Sequence, residues 1–390
     1  MIGPMWQTAS AGLLAVALVF QTAQTACPRD DSAQTPAPAP APGPLPNSDV
    51  FTTRDGVRFR VETVLTGLEV PWSLNFAPDG RLFVTERPGR VRIVSPGGSS
   101  EVALTLTGVY TAGEAGLLGL ALDPEFAQNR FVYIYYSASV RSGAVNRIVR
   151  YREVNSQLGE PAVLLDNVPG ATTHDGGRLR FGPDGLLYAT AGDAQNSGSA
   201  QDVASLAGKI LRLNRDGTVP PDNRFSSPVY TFGHRNPQGL DWHPVTGDLW
   251  AVEHGNTGND EVNAIRAGLN FGWPRIEGSE TMTGMETPVT FYSPAIAPSG
   301  ASFYRGQRFP QFANNLFVAT LRGTHLLRIT VDPATRRITA QERLLEGQFG
   351  RLRDVITGPD GNLYIATNNR DGRGSPSAQD DRVLRIVPAS

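Results

Sequence analysis

Cysteine is almost missing from this chain of 390 residues. Cys27 is the only one, so no disulfide can close within a single copy, and stability has to come from packing or from a bound metal. Lysine is equally scarce: of 35 basic residues only Lys209 is a lysine, a bias that a GC-rich genome explains. The formal net charge is −2 with no block of like charges, which argues against nucleic acid as a partner. No G-x-S-x-G, P-loop or Rossmann fingerprint occurs, and a lone cysteine cannot form the C-x-x-C-H haem motif. Segments with a 3.6-residue apolar period are also lacking. The five histidines, His174, His234, His243, His254 and His325, show no close metal-ligand spacing.

What is present divides into two parts. Residues 11–20 (AGLLAVALVF) have the length of a signal-peptide h-region and fall short of the ~20 apolar residues that cross a bilayer. A signal segment is therefore expected over residues 1–27. Ala26 ahead of Cys27 suits lipoprotein cleavage, so a lipid anchor is the one membrane attachment the sequence suggests; ordinary signal cleavage is the alternative. Residues 28–50 are a Pro/Ala-rich linker, extended and semi-rigid. Together they predict an exported protein, periplasmic or held at the cell envelope, and otherwise secreted.

The body, residues 51–390, is too long for one ordinary core unless it is built from repeats. One pattern does recur: alternating apolar residues, a Pro-Asp-Gly-like turn and a short β-rich strand. Its six copies are Leu74–Glu86, Leu120–Tyr136, Leu179–Gly192, Leu240–Glu253, Ser302–Thr320 and Asp354–Thr367, starting 46 to 62 residues apart. Proline presets the turn and Asp-Gly supplies the positive φ of a tight hairpin. Further strands follow at VRIV, ILRL, LLRI and VLRI. The spacing predicts an all-β, six-bladed β-propeller of four-stranded antiparallel blades, closed between its chain ends.

In such a fold, chemistry belongs to the loops around the channel. His174, in Thr173-His174-Asp175-Gly176-Gly177, reads either as a general base or as a solvated or core histidine. Asp193 returns to the same blade end and either orients that imidazole or serves a turn. The loop Gly233–Gly239 carries Arg235 and Asn236, a pair suited to a carboxylate or an anionic ring. The oxygen-rich stretch Glu253–Glu261 suits Ca²⁺, or is simply a solvated acidic loop. Arg351 and Arg353, alternating on one strand face, make an anion site or a solvated basic pair. Arg322 ends the preceding hairpin.

These loops together resemble the soluble quinoprotein sugar dehydrogenases of the glucose/sorbosone dehydrogenase family. The resemblance runs in order from Val70-Pro71-Trp72-Ser73 through GLLGLALDPEF, HDGGRLRFGPDG, AGKILRLNRDG and GHRNPQG to NFGWP and RDVITGPDGNLY, across about residues 60–387. It implies a six-bladed propeller that uses pyrroloquinoline quinone (PQQ) and Ca²⁺ to oxidise aldose sugars to lactones, with hydride passing to a quinone carbonyl carbon and electrons to a separate external acceptor. By the same resemblance His174 is the general base and Asp193 its supporting carboxylate, while Arg235, Asn236, Arg351 and Arg353 contact the cofactor. The carbonyls of Gly255 and Asn256 would hold a catalytic Ca²⁺, and Glu261 with the carbonyl of Phe271 a structural one. Two positions depart from the pattern. Glu114 replaces a glutamine that contacts the quinone, and a carboxylate facing a tricarboxylate is unfavourable unless neutralised. Arg322 replaces a lysine, keeping the charge but not the geometry. On the sequence alone, a propeller that binds a sugar or protein without redox chemistry, favoured by Glu114, and a Ca²⁺-dependent lactone hydrolase remain as alternatives.

Overall fold

Each of the six repeats folds as the hairpin its turn chemistry dictates, and each hairpin forms the inner half of a blade. The structure, a computed structural model, describes residues 49–389. The signal segment, Cys27 and nearly all of the linker expected from the sequence lie outside the described residues. Within them, no helix is long and apolar enough to cross a membrane.

The first blade comprises Pro71–Phe76, Leu82–Glu86, Arg90–Val94 and Ser100–Thr105. The second has longer strands, Leu117–Leu122, Phe131–Val140, Gly143–Val154 and Gln157–Gly170. The third is Leu179–Phe181, Leu187–Ala191, Lys209–Leu213 and Val229–Phe232. The fourth is Pro237–Trp242, Leu249–Glu253, Asp260–Ile265 and Thr290–Tyr292. The fifth is Pro298–Phe303, Asn315–Thr320, Leu326–Val331 and Ile338–Leu344. In each blade the strands pair in sequence order and antiparallel. Helical structure among the described residues is confined to single turns, such as Phe126–Asn129 and Ser197–Ala200.

The sixth blade is made from both ends of the described chain. Leu352–Thr357, Leu363–Thr367 and Val383–Pro388 are completed by Arg58–Leu65, which pairs antiparallel with the C-terminal strand through Arg60 and Val387. Phe51–Thr52 adds a short fifth strand. Closure in this way ties the two ends of the described chain into one sheet and seals the ring. Phe59 fixes the closing strand: it is fully buried among Phe317, Leu363 and Ile386 and stacks on Phe51 at 5.5 Å. Phe59→Ala is expected to cost about 3–5 kcal/mol of stability, read as a lowered midpoint in urea.

The innermost strand of each blade touches the next around the ring, and that of the sixth returns to that of the first. These strands run from one mouth of the channel, here called upper, to the lower mouth, where the Pro-Asp-Gly-type turns lie. Midway, Arg178 and Asp354 form a salt bridge at 3.1 Å with side-chain exposures of 1% and 0%. Asp354 also accepts the Leu74 N–H at 2.8 Å, and the Arg178 guanidinium lies 4.3 Å from the Trp72 ring centre. This plug separates the two mouths. The segments that precede the inner strands, and those that follow the second strands, all emerge at the upper mouth.

Candidate active site

His174 sits in the segment leading into the innermost strand of the third blade. Its backbone takes φ = 64°, a left-handed conformation uncommon outside glycine. The segment is pressed against the end of its own hairpin, for a side chain at Gly192 would place its Cβ 2.0 Å from the His174 carbonyl oxygen. Glycine there is what lets the histidine reach the mouth. Nδ1 lies 2.8 Å from Asp193 Oδ1. An ionised carboxylate only accepts, so Nδ1 carries the proton and the Nε2 lone pair is exposed. Nε2 has no hydrogen-bond partner among the described residues, and the side chain is 19% exposed against 2% for Asp193. Asp193 is itself held by the Gln195 N–H at 2.9 Å and the Trp273 indole N–H at 2.8 Å. The pair is therefore a rigid imidazole with one free nitrogen facing the mouth.

The GHRNPQG loop divides its labour. His234 is buried, bonded to Glu253 and Thr231 and stacked on Phe271 at 4.8 Å, so it knits the third and fourth blades together. Arg235 and Asn236 face the site. Asn236 Oδ1 accepts the Gly176 N–H at 3.1 Å, and the Arg235 guanidinium lies 5.3 Å from the Trp273 ring centre. Arg353 is buried and donates to Gln238 and Ser299. Burial pushes its guanidinium down to about 9, only partly offset by Asp371. Arg351 precedes the strand, which begins at Leu352, and is held in place by Asp371 at 2.8 Å. Arg322 is exposed and has no side-chain partner among the described residues; with Arg351 it lines a cavity of about 370 Å³ at the rim.

Glu114 is not left facing a ligand alone. Its Oε1 accepts from Arg373 at 2.7 Å and its Oε2 approaches the His174 N–H at 3.4 Å. Burial works against this carboxylate, but His254, Arg373 and Arg353 outweigh it and hold it down at about 2. The charge conflict expected from the sequence is therefore resolved by a partner 259 residues away.

Arg373 was invisible to sequence reasoning, as were Arg87 and Asp371. Arg87 is partly buried, its guanidinium lowered by burial and flanked by Asp371, Glu114, Arg373 and Arg351. A signal for it does exist. Arg87 follows the second strand of the first hairpin, the place from which Asp193 and His254 reach the same mouth in their own blades.

Several buried donors in this region lack partners among the described residues: Arg353 Nε, Arg235 Nε and Asn236 Nδ2. Left so, each costs free energy. Together with the unneutralised arginines they fit a ligand bearing several carboxylates.

The oxygen-rich stretch is only partly a loop, because a strand begins at Asp260. Asp260 is taken up by the backbone, accepting from Gly255, Ile296 and Ala297. Gly255, Glu253, Glu261 and Phe271 line one small cavity of about 10 Å³, room for one water or one ion. Asn256 stands outside it on the exposed turn. Burial and the neighbouring Glu253 push the Glu261 carboxyl up to about 8, and Asn263 Oδ1 beside them is a buried acceptor without a partner. Two carboxylates crowded together with an orphan oxygen fit a cation. Among the described residues no three His, Cys, Asp or Glu groups cluster as a metal site, so carbonyl oxygens would have to complete the shell.

Fold and site together define a six-bladed propeller with a histidine–carboxylate dyad beside a cationic pocket at one mouth. The family model for glucose/sorbosone dehydrogenases matches residues 68–378. Aldose sugar dehydrogenase YliI of Escherichia coli is 32% identical, covering 80% of this chain and 91% of that protein. Quinoprotein glucose dehydrogenase B of Acinetobacter calcoaceticus is 28% identical over 86% of this chain and 90% of its own length. The PQQ-bound aldose sugar dehydrogenase of Streptomyces coelicolor superposes with a TM-score of 0.77 at 39% identity, covering 84% of this chain and 97% of that one. The chain belongs to the glucose/sorbosone dehydrogenase family of oxidoreductases.

Proposed function

We propose that this protein is a PQQ-dependent dehydrogenase that oxidises aldose sugars to lactones and passes the electrons to a separate acceptor. The observation that carries the reading is the His174–Asp193 dyad, whose free Nε2 opens onto a mouth lined by arginines. His174 Nε2 removes the proton of the sugar's anomeric hydroxyl, and Asp193 fixes the tautomer and stabilises the imidazolium that results. PQQ, when bound, supplies the carbonyl carbon that accepts the hydride. Arg351, Arg353, Arg235 and Asn236 would hold its carboxylates and ring, joined by Arg87, while Arg322 at the rim brings positive charge to oxygen that becomes anionic. The carbonyls of Gly255 and Asn256 would hold a catalytic Ca²⁺, and Glu261 with the carbonyl of Phe271 a second, structural one. The signal segment expected over residues 1–27 would carry the enzyme out of the cytoplasm, where a sugar and an external acceptor meet it.

The Glu114–Arg373 pair removes the feature that favoured a non-redox propeller, and a lactone hydrolase would leave the arginine cluster without a task. The decisive experiment adds Ca²⁺ and PQQ to the purified protein, then follows both the quinone spectrum and dye reduction with glucose and other aldoses. Saturable PQQ binding and sugar-dependent reduction are expected; absence of saturable binding overturns the reading. Glu114→Gln gives a finer check. It removes a negative charge and frees Arg373, so PQQ is expected to bind several-fold tighter, an effect on the order of 1 kcal/mol for a partly exposed pair.

A further inference from the structure

The lower mouth of the channel holds a second cationic cavity that the sugar-oxidising site does not use. Its volume is about 860 Å³, within the range of small-molecule sites, and it is walled by the inner strands and turns of the first, third, fifth and sixth blades. Arg180 lies on its wall. The Arg180 guanidinium makes no hydrogen bond or salt bridge among the described residues, and its Nε and Nη2 are buried without partners. Its neighbour two residues earlier, Arg178, is already neutralised by Asp354 in the plug.

The other charges on this wall do not cancel Arg180. Arg305 is bound bidentately by Asp241, at 2.6 and 3.0 Å. Asp360 is occupied by Asn362, Tyr364 and Arg385. Arg308 is exposed and donates only to the Asp360 carbonyl, at 3.3 Å. Two guanidinium charges thus remain uncompensated, one of them largely out of water. A guanidinium with two of its three nitrogens shut off from water and no counter-charge is costly, and its planar fork is matched by the oxygens of phosphate or carboxylate. Asn75 and Ser302 add neutral polar groups to the same wall.

We propose that this lower mouth is a binding site for a small molecule carrying a phosphate or carboxylate group, gripped by Arg180 and Arg308. The plug of Arg178 and Asp354 keeps it apart from the upper mouth, so its ligand does not enter the sugar-oxidising site.

Calorimetric titration of the purified protein with inorganic phosphate and with citrate tests this without any turnover, so its outcome is independent of the PQQ reading. Saturable binding of at least one probe is expected, weakened about tenfold or more in Arg180→Gln, as loss of a charged hydrogen bond predicts. Sugar oxidation should be unchanged in that variant. Phosphate alone binding points to phosphorylated ligands, citrate alone to polycarboxylates. Arg308→Gln serves if Arg180→Gln fails to fold. The proposal is overturned if neither probe saturates, or if binding survives both substitutions. It is equally overturned if binding is lost in Arg353→Gln instead, which would place the anion at the upper mouth.

Discussion

His174→Ala is expected to lower kcat for aldose oxidation by about 10²–10⁴-fold while leaving PQQ affinity close to that of the unaltered protein. Asp193 holds the imidazole by Nδ1 and leaves Nε2 without a partner among the described residues, so this nitrogen is the one placed to take the proton. Asp193→Asn separates base strength from geometry. An amide can present its N–H to Nδ1, which flips the tautomer and protonates Nε2, so kcat should fall nearly as far although the histidine remains. Stopped-flow reduction of the PQQ-loaded protein by excess sugar reads both effects. A His174→Ala protein that keeps most of its rate would overturn the assigned mechanism.

The second large effect concerns Arg353. Replacement by methionine keeps the stem that packs near Trp72 but deletes the charge. Truncating one side of a buried charged contact costs about 2–5 kcal/mol, so PQQ should bind at least ~30-fold more weakly, followed by the quinone absorbance during titration. Stability should move the other way. Burial holds the Arg353 guanidinium down at about 9, which means its charge opposes folding in the ligand-free protein. The methionine variant is expected to melt no lower than the parent without PQQ, and to gain much less from PQQ than the parent does. Loss of stability together with loss of binding would instead mark Arg353 as a structural residue.

Most of the ring was legible because its signals are local. Three copies carry a Pro-Asp-Gly turn flanked by alternating apolar residues and three a longer turn that also contains proline, and all six hairpins stand where these turns put them. The outermost strands were not readable. Val229–Phe232 and Thr290–Tyr292 are four and three residues long and lack turn chemistry of their own. Their pairing depends on what the rest of the blade leaves unbonded. The site divides along the same line. His174 and Asp193 lie at the two ends of one hairpin, so their meeting follows from the repeat. Glu114 and Arg373 come from different blades, and only the closed ring brings them within 2.7 Å. The same holds for Arg87, whose neighbours Asp371 and Arg351 belong to the sixth blade. The reading of Glu253–Glu261 as one loop missed the strand at Asp260 because that carboxylate is spent on the backbone N–H groups of Gly255 and of Ile296 and Ala297, which lead into the fifth blade, and composition does not reveal this.

Arg351, Arg353, Asp371 and Arg373 all ride on the sixth blade, and that blade is complete only when Arg58–Leu65 pairs with Val383–Pro388. Ring closure and occupancy of the upper mouth are therefore linked equilibria. A ligand gripped by these arginines has nothing to grip in an opened ring, so it binds the closed form alone and draws the population toward it. At a free concentration one hundred times Kd, that bias amounts to about 2.7 kcal/mol. The clasp that joins the two ends of the chain is in this sense also the first switch of the site, and a bound cofactor is one of the forces that hold it shut.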